Sequence, residues 1–310
     1  MQVWKPVVLV MIFITGANGR LGREVLKRIP KAIPLVRKPS GLKNEVVTNF
    51  EIHELKKILK NAKFVIHLAG SMNFLNPTEL WASNVELTRN IVEALPQKCR
   101  IIFASSVSVY GKFLRELPAD ECSPLNPDSP YAKSKAEAEE IVKKHNNHVI
   151  LRIATMYGKG FDDYYEILRQ IKKGSMHIIG DGQNRIPFVH VEDVADAIKY
   201  SLKAKKGVYV IAGDGEKQEE ILHMAASILN VPPPTGRIPL DAALMFAAFE
   251  EKKALLMGVK PKLTTEHVLI LASDRVFDCS KAKKELKFKP RPIVDGIKEI
   301  VEDGIARGLF

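Results

Sequence analysis

The sequence predicts an α/β fold, a doubly wound parallel sheet with a smaller, mostly helical C-terminal part, and three observations predict it. Short apolar runs alternate with amphipathic segments through the first half, a glycine-rich turn follows the first run, and after about residue 155 helical periodicity dominates. "VVLVMIFI" (7–14) reads as a buried strand, too short to span a bilayer. "RLGREVLKRI" is a helix, "AIPLVR" a strand, "HELKKILKN" a helix and "FVIHLAG" a strand. The rhythm continues through "NVELTRNIVEAL", "RIIFASS", "YAKSKAEAEEIVKKH" and "HVILRIA" as helix, strand, helix and strand. From Tyr157 to Lys203 two helices flank a Gly-rich loop, and "GVYVIAG" returns one more strand to the sheet. Residues 216–310 read as mostly helical, broken at "VPPPTGRIP". Their weakly amphipathic helix "LDAALMFAAFEEKKALLMG" is expected to place its apolar side chains in the core or a pocket, not on a membrane.

The 310 residues, 46% of them hydrophobic, have the composition of a soluble globular protein. The net charge of +11 comes from 47 Lys and Arg against 36 Asp and Glu. Those cations are dispersed, and the clusters "KKHNNH" and "KAKK" have no interleaved aromatics, so no nucleic-acid partner is expected. Cys99, Cys122 and Cys279 stand far apart without a CxxC pair, which argues against a disulfide framework or zinc site and fits a reducing cytoplasm. His145 and His148 sit in a polar helix tail, and no metal is expected. Because Met11 opens "MIFITGANGRLG", residues 1–10 read as an extension upstream of the essential strand.

"TGANGRLG" joins that strand to a helix with glycines at 16, 19 and 22. Glycine permits positive φ and close backbone approach to a pyrophosphate, and the helix N-terminus supplies free N–H groups. In this context the chain reads as a Rossmann sheet, with residues 1–154 and 187–212 binding a dinucleotide and 155–186 and 213–310 binding substrate. The second strand ends in "PLVRKPSG", without the acidic residue that holds a ribose 2′-OH; Arg37, beside Lys38, is suited instead to the 2′-phosphate of NADP. Asn49 stands where an adenine contact is expected. Ala69 and Gly70 suit a strand end lying against a flat cofactor, and Ser105 and Ser106 come at the C-terminal end of their strand, where ligands bind in open α/β sheets. In "SPYAKSKAEAEE", Ser129 caps a helix, Pro130 starts it, and Tyr131 and Lys135 lie four apart on one face. An ammonium and a positive helix end both favour the phenolate; reaching a pKa of about 7 takes roughly 4 kcal/mol. Alone this spacing is the ordinary surface of a charged helix, and the glycine turn and strand-end serine give it chemical meaning.

These stretches, with "HLAG", "LRIATMYG", "GDGQNRIPFVHVEDVADAI" and "FDCSKAKKELKFKPR" in the same order, resemble the extended short-chain dehydrogenase/reductase superfamily, the NAD-dependent epimerase/dehydratases. The resemblance implies Ser106 on the substrate oxygen, Tyr131 as acid/base, and Lys135 on the nicotinamide ribose, lowering the tyrosine pKa. It implies Thr15, Gly16, Asn18, Gly19, Arg20 and Leu21 around the pyrophosphate, with Leu68, Ala69, Gly70 and Asn84 also at the cofactor. Ser71, Val107, Met156 and Arg185 are expected at the substrate, and Arg152 in the strand below the nicotinamide. Ile153 departs from the proline usual after that arginine, and Val107 and Ser108 replace the acidic pair of sugar-nucleotide dehydratases, which argues against dehydration. Ile186 and Pro187 replace the Arg-Asp pair of nucleotide-sugar epimerases, with Arg185 displaced by one. The pattern is most similar to dihydroflavonol reductase and 3β-hydroxysteroid dehydrogenase relatives. It implies a ketone/alcohol oxidoreductase acting on a small molecule, preferring NADP with NAD possible, no membrane partner, and a homodimer through helices at 85–96 and 130–145. A nucleotide-sugar epimerase that retains its cofactor is the alternative, and a non-catalytic nucleotide-binding regulator ranks third.

Overall fold

Seven parallel strands form the centre of the molecule in the computed structural model, which describes residues 10–259, 261 and 263–310. Residues 1–9 of the expected extension lie outside the described residues. Six of the strands come first in the chain: β1 (Met11–Thr15), β2 (Ile33–Val36), β3 (Val46–Val47), β4 (Ala62–His67), β5 (Arg100–Ser106) and β6 (His148–Ile153). Four two-residue strands follow: β7 (Met156–Tyr157), β8 (Ile178–Ile179), β9 (Arg185–Ile186) and β10 (Val189–His190). The seventh sheet strand is β11 (Gly207–Ile211), and β12 (Glu216–Lys217) and β13 (Arg237–Ile238) pair with β9 and β8.

The sheet order is β11-β6-β5-β4-β1-β2-β3. The chain leaves β1 toward one edge and returns on its other side with β4, so the crevice above the C-terminal ends of β1 and β4 is the topological switch point where α/β sheets bind ligands. Strands covered on both faces must be apolar on both, which explains their continuous hydrophobic runs. Ile14, Ile66, Ile102 and Leu151 point into one core with Val25 of α1 (Arg20–Arg28). Their neighbours Phe13, Val65, Phe103 and Ile150 point into the other, with Leu55 of α2 (Ile52–Ile58).

A short helix α3 (Pro77–Trp81) and one π-helical turn (Ala82–Glu86) lead into α4 (Leu87–Ala94). Residues Ile91 of α4 and Val142 of α5 (Pro130–Lys143) join the second core. A separate apolar core lies among α6 (Asp162–Lys172), α8 (Gln218–Ile228) and α12 (Ile293–Ala306), while α7 (Val191–Ser201), between α6 and α8 in the chain, covers the sheet beside α1. The remaining helices are α9 (Leu240–Met257), α10 (Thr265–Ala272) and α11 (Ser280–Glu285).

The expectation for α9 is corrected. Its inward face is made of Ala243, Ala247, Glu250 and Ala254, while Met245, Phe246, Phe249, Leu255, Leu256 and Met257 are all more than half exposed. Alanines permit close packing, so the bulky residues are left outside. None of the described helices is long and apolar enough to cross a membrane.

Candidate functional site

The glycine turn is built from close contacts. Gly16 has φ +70°, and a Cβ there would lie 2.7 Å from the Ala69 nitrogen; at Gly22 it would lie 2.2 Å from the Gly16 carbonyl oxygen. Only glycine lets β1, α1 and the end of β4 meet this tightly. Gly19 caps α1 without a side-chain hydrogen bond, which leaves first-turn N–H groups such as those of Arg20 and Leu21 for an anion. The Arg20 side chain turns elsewhere: Nε donates to the Gly160 carbonyl, Nη2 lies 3.5 Å from Asp162, and the guanidinium sits 4.6 Å above the Phe161 ring. Leu21 is buried in the core, and the exposed Asn18 accepts from Arg23 through its carbonyl.

Beneath the turn runs a buried chain of hydrogen bonds. The Ala69 N–H donates to Thr15 Oγ1 (3.2 Å), Thr15 Oγ1 is 2.7 Å from His67 Nδ1, and His67 Nε2 is 2.9 Å from Thr88 Oγ1. The Thr88 hydroxyl donates to the Asn84 carbonyl (2.6 Å). That proton being used, Thr88 accepts from Nε2–H, and Nδ1 accepts from Thr15. Burial, helped by the Lys135 charge, pushes the His67 pKa down to about 3, so the ring is neutral.

Asn84 is 1% exposed. Its Oδ1 accepts from Ser71 N–H (2.8 Å), and its Nδ2 donates to the Ser71 carbonyl (3.1 Å) and Ser134 Oγ (2.9 Å). The side chain expected at the cofactor is therefore committed to the protein, holding the 70–71 turn against α5. Leu68 and Ala69 remain half-buried and Gly70 exposed along the groove.

Ser129 accepts from the Ala132 N–H and caps α5, with Pro130 in its first turn, as the local sequence demands. Tyr131 and Lys135 follow on successive turns, and the Tyr131 phenol meets the Ser106 hydroxyl at the end of β5. Burial raises the Tyr131 pKa, and the Ser106 hydrogen bond only partly opposes this. The expected lowering is thus corrected for the ligand-free chain. Lys135 Nζ donates to the Ala104 carbonyl (2.8 Å), 4.9 Å from the Phe103 ring centre, and burial pulls its pKa down to about 8.

Behind these groups, Glu139 and Arg152 form a buried pair with Nη2–Oε2 at 2.8 Å and Nε–Oε1 at 3.0 Å. Glu139 also accepts from Ser105 Oγ (2.6 Å), and Arg152 donates to the Tyr110 hydroxyl (2.8 Å). In front, the Phe74 ring packs edge-on to Tyr131 at 5.6 Å and to His267 of α10 at 5.3 Å.

The substrate-facing expectations are less uniform. The Ser71 hydroxyl is taken by Glu79 (2.7 Å), Met156 is half-buried in β7, and Arg185 is paired with Asp274 (3.1 Å). Val107, expected against the substrate, is corrected to the core at 2% exposure, because the 3₁₀ turn Val107–Tyr110 ends the strand alternation and turns it inward. Arg37 is exposed just beyond β2. Asn49 Oδ1 accepts from the Glu51 N–H (2.8 Å) at the start of α2. Sequence reasoning misses Arg275, which is 3% exposed with Nε and Nη2 unbonded among the described residues. Nothing in "ASDRVFD" marks it, since burial is a tertiary property.

The glycine cradle, the open face at Gly70 and a buried ammonium with one protein acceptor fit a dinucleotide. Residues 12–212 match the family model described as "NAD dependent epimerase/dehydratase family". Among curated proteins, the chain is 26% identical to the N-acetyl-alpha-D-glucosaminyl-diphospho-ditrans,octacis-undecaprenol 4-epimerase of Escherichia coli O157:H7, over 94% of each chain. It is also 26% identical to 3beta-hydroxysteroid-dehydrogenase/decarboxylase isoform 1 of Arabidopsis thaliana, over 93% of this chain and 78% of the relative. Among solved structures, gox2253 superposes with a TM-score of 0.76 at 25% identity, covering 97% of this chain and 99% of that one.

Proposed function

Given that the chain belongs to the NAD dependent epimerase/dehydratase family, we propose that it is a ketone/alcohol oxidoreductase whose proton is moved by Tyr131. The observation that carries this reading is the meeting of Tyr131 and Ser106 above β5, with Lys135 buried one turn further along α5. When bound, the nicotinamide supplies hydride exchange at the substrate carbon. Ser106 donates to the substrate oxygen, and Tyr131 gives that oxygen its proton in reduction or takes it in oxidation. A phenol raised by burial keeps its proton at neutral pH, which suits the donor role. Lys135 spends one N–H on Ala104, and its other two donors serve a ribose. The likeness to the Arabidopsis dehydrogenase/decarboxylase supports the reading.

A second reading, epimerisation of a diphosphate-linked sugar, is favoured by one observation: the buried guanidinium of Arg275 has two nitrogens unbonded among the described residues, as an anion site requires. Candidate ketones incubated with NADH or NADPH, and UDP-sugars incubated with NAD⁺ or NADP⁺, separate the two. Stoichiometric loss of absorbance at the nicotinamide band with a ketone is expected. Interconversion of a UDP-sugar with no net gain at that band would overturn the oxidoreductase reading.

The NADP preference belongs to this proposal and rests on Arg37. Losing a charge-assisted contact to the 2′-phosphate costs about 1.5–3 kcal/mol, so Arg37→Ala is expected to weaken NADPH roughly 10- to 100-fold. NADH affinity should change less than about twofold, and equal losses in fluorescence titrations would refute the contact.

A further inference from the structure

The outward face of α9 combines bulky apolar groups with cations. Residues 245, 249, 252 and 256 follow a helical stripe opposite Ala243, Ala247, Glu250 and Ala254, and 246, 253 and 257 flank it. On that stripe Met245 is 75% exposed, Phe249 62% and Leu256 88%, with exposed Lys252 and Lys253 between them. Val259, just past the helix, is exposed as well. From 252 to 265 the chain has four lysines, the last two at 260 and 262, and no acidic residue.

The two acids immediately before this stretch do not neutralise it as a face. Glu250 is on the inward side and, among the described residues, pairs with Lys253 at 3.5 Å, while Glu251 accepts from the Thr265 N–H (2.8 Å) and hydroxyl (3.0 Å). The second contact staples the start of α10 to α9. The face is thereby presented on a fixed hairpin.

We propose that this face docks on an anionic bilayer surface. A helix lying in the interface plane needs bulky apolar groups to enter the acyl boundary and lysines that reach back to phosphate, and α9 offers both. A second copy of the chain fits less well. A two-fold contact would bury the two exposed lysines of each copy against a face on which Asp241, in the first turn of the helix, is the one exposed acid among the described residues of α9. The docked hairpin would also hold the reacting group near the bilayer, because α10 carries His267, which packs on Phe74, which packs on Tyr131. The proposal departs from the sequence expectation of no membrane partner, and it stands whichever substrate the site takes.

Flotation of the full chain with phosphatidylcholine vesicles, with and without about 30 mol% phosphatidylglycerol, tests the proposal. Binding to the anionic vesicles is expected, falling about tenfold or more without the anionic lipid or at about 0.5 M salt. Leu256→Asp, and separately Lys252→Glu, should each lose binding about tenfold or more while the thermal melt is unchanged, since both side chains are exposed and neither is paired among the described residues. No flotation, or flotation that Leu256→Asp leaves intact, overturns the proposal. Self-association in sedimentation velocity that Leu256→Asp abolishes, without vesicle binding, overturns it in favour of a second copy.

Discussion

Replacing Tyr131 by Phe is expected to lower kcat about 10²- to 10⁴-fold while cofactor affinity stays within about threefold. The ring and its edge-on contact with Phe74 survive, so only the proton-carrying oxygen is lost. Lys135 makes its protein hydrogen bond to Ala104 and not to the phenol, and this is why cofactor binding should be spared. Steady-state turnover on the substrate found in the absorbance screen, paired with a fluorescence titration of the cofactor, gives both numbers. Turnover within about threefold of the parent would remove Tyr131 from the mechanism.

Glu139→Gln is expected to destabilise the fold by about 3–5 kcal/mol. Glu139 is fully buried and Arg152 is 3% exposed, so the substitution strands a guanidinium that water cannot reach. Of the two hydrogen bonds to the carboxylate, at 2.8 Å and 3.0 Å, at best one survives, from a charged guanidinium to a neutral amide oxygen, while the new NH₂ faces another donor. Urea unfolding measures the loss. Adding Arg152→Met should recover part of it, because the stranded charge is then gone. A single-variant loss below about 1 kcal/mol would mean that the pair is solvated or replaceable. Glu139 also lies one turn beyond Lys135 and supports its positive charge, so the same variant should weaken cofactor binding further as pH rises toward 8.

What could be read from the sequence was local. The spacing of Gly16 and Gly22, the cap at Ser129 and the four-residue step from Tyr131 to Lys135 are set by backbone geometry, and the structure brings the corresponding elements together. What could not be read was orientation. Spacing puts an ammonium on the same helix face as a phenol, but packing turned it toward Ala104, so the sign of the Tyr131 shift was invisible. Asn84 sits among other polar residues in the turn Ala82–Glu86, and only the fold shows Ser71 and Ser134 as its partners. The face of α9 was obscured because the helix is apolar nearly all round, and its alanines decided which side turned inward. Ordinary alternation failed at Val107 because the strand ends one residue before it.

The linkage from Thr15 through His67 and Thr88 to Asn84 has a consequence for how the groove meets its ligand. It ties the floor of the glycine turn to the turn at Gly70, so the two walls of the crevice keep one separation before anything enters. Walls already in register have little motion left to lose, and association is correspondingly less opposed by entropy. An imidazole is the one common side chain that can accept at one ring edge and donate at the other across that span. Because it stays uncharged, the separation it sets is the same in mildly acidic and alkaline solution. His67 thus acts as a spacer whose length does not titrate.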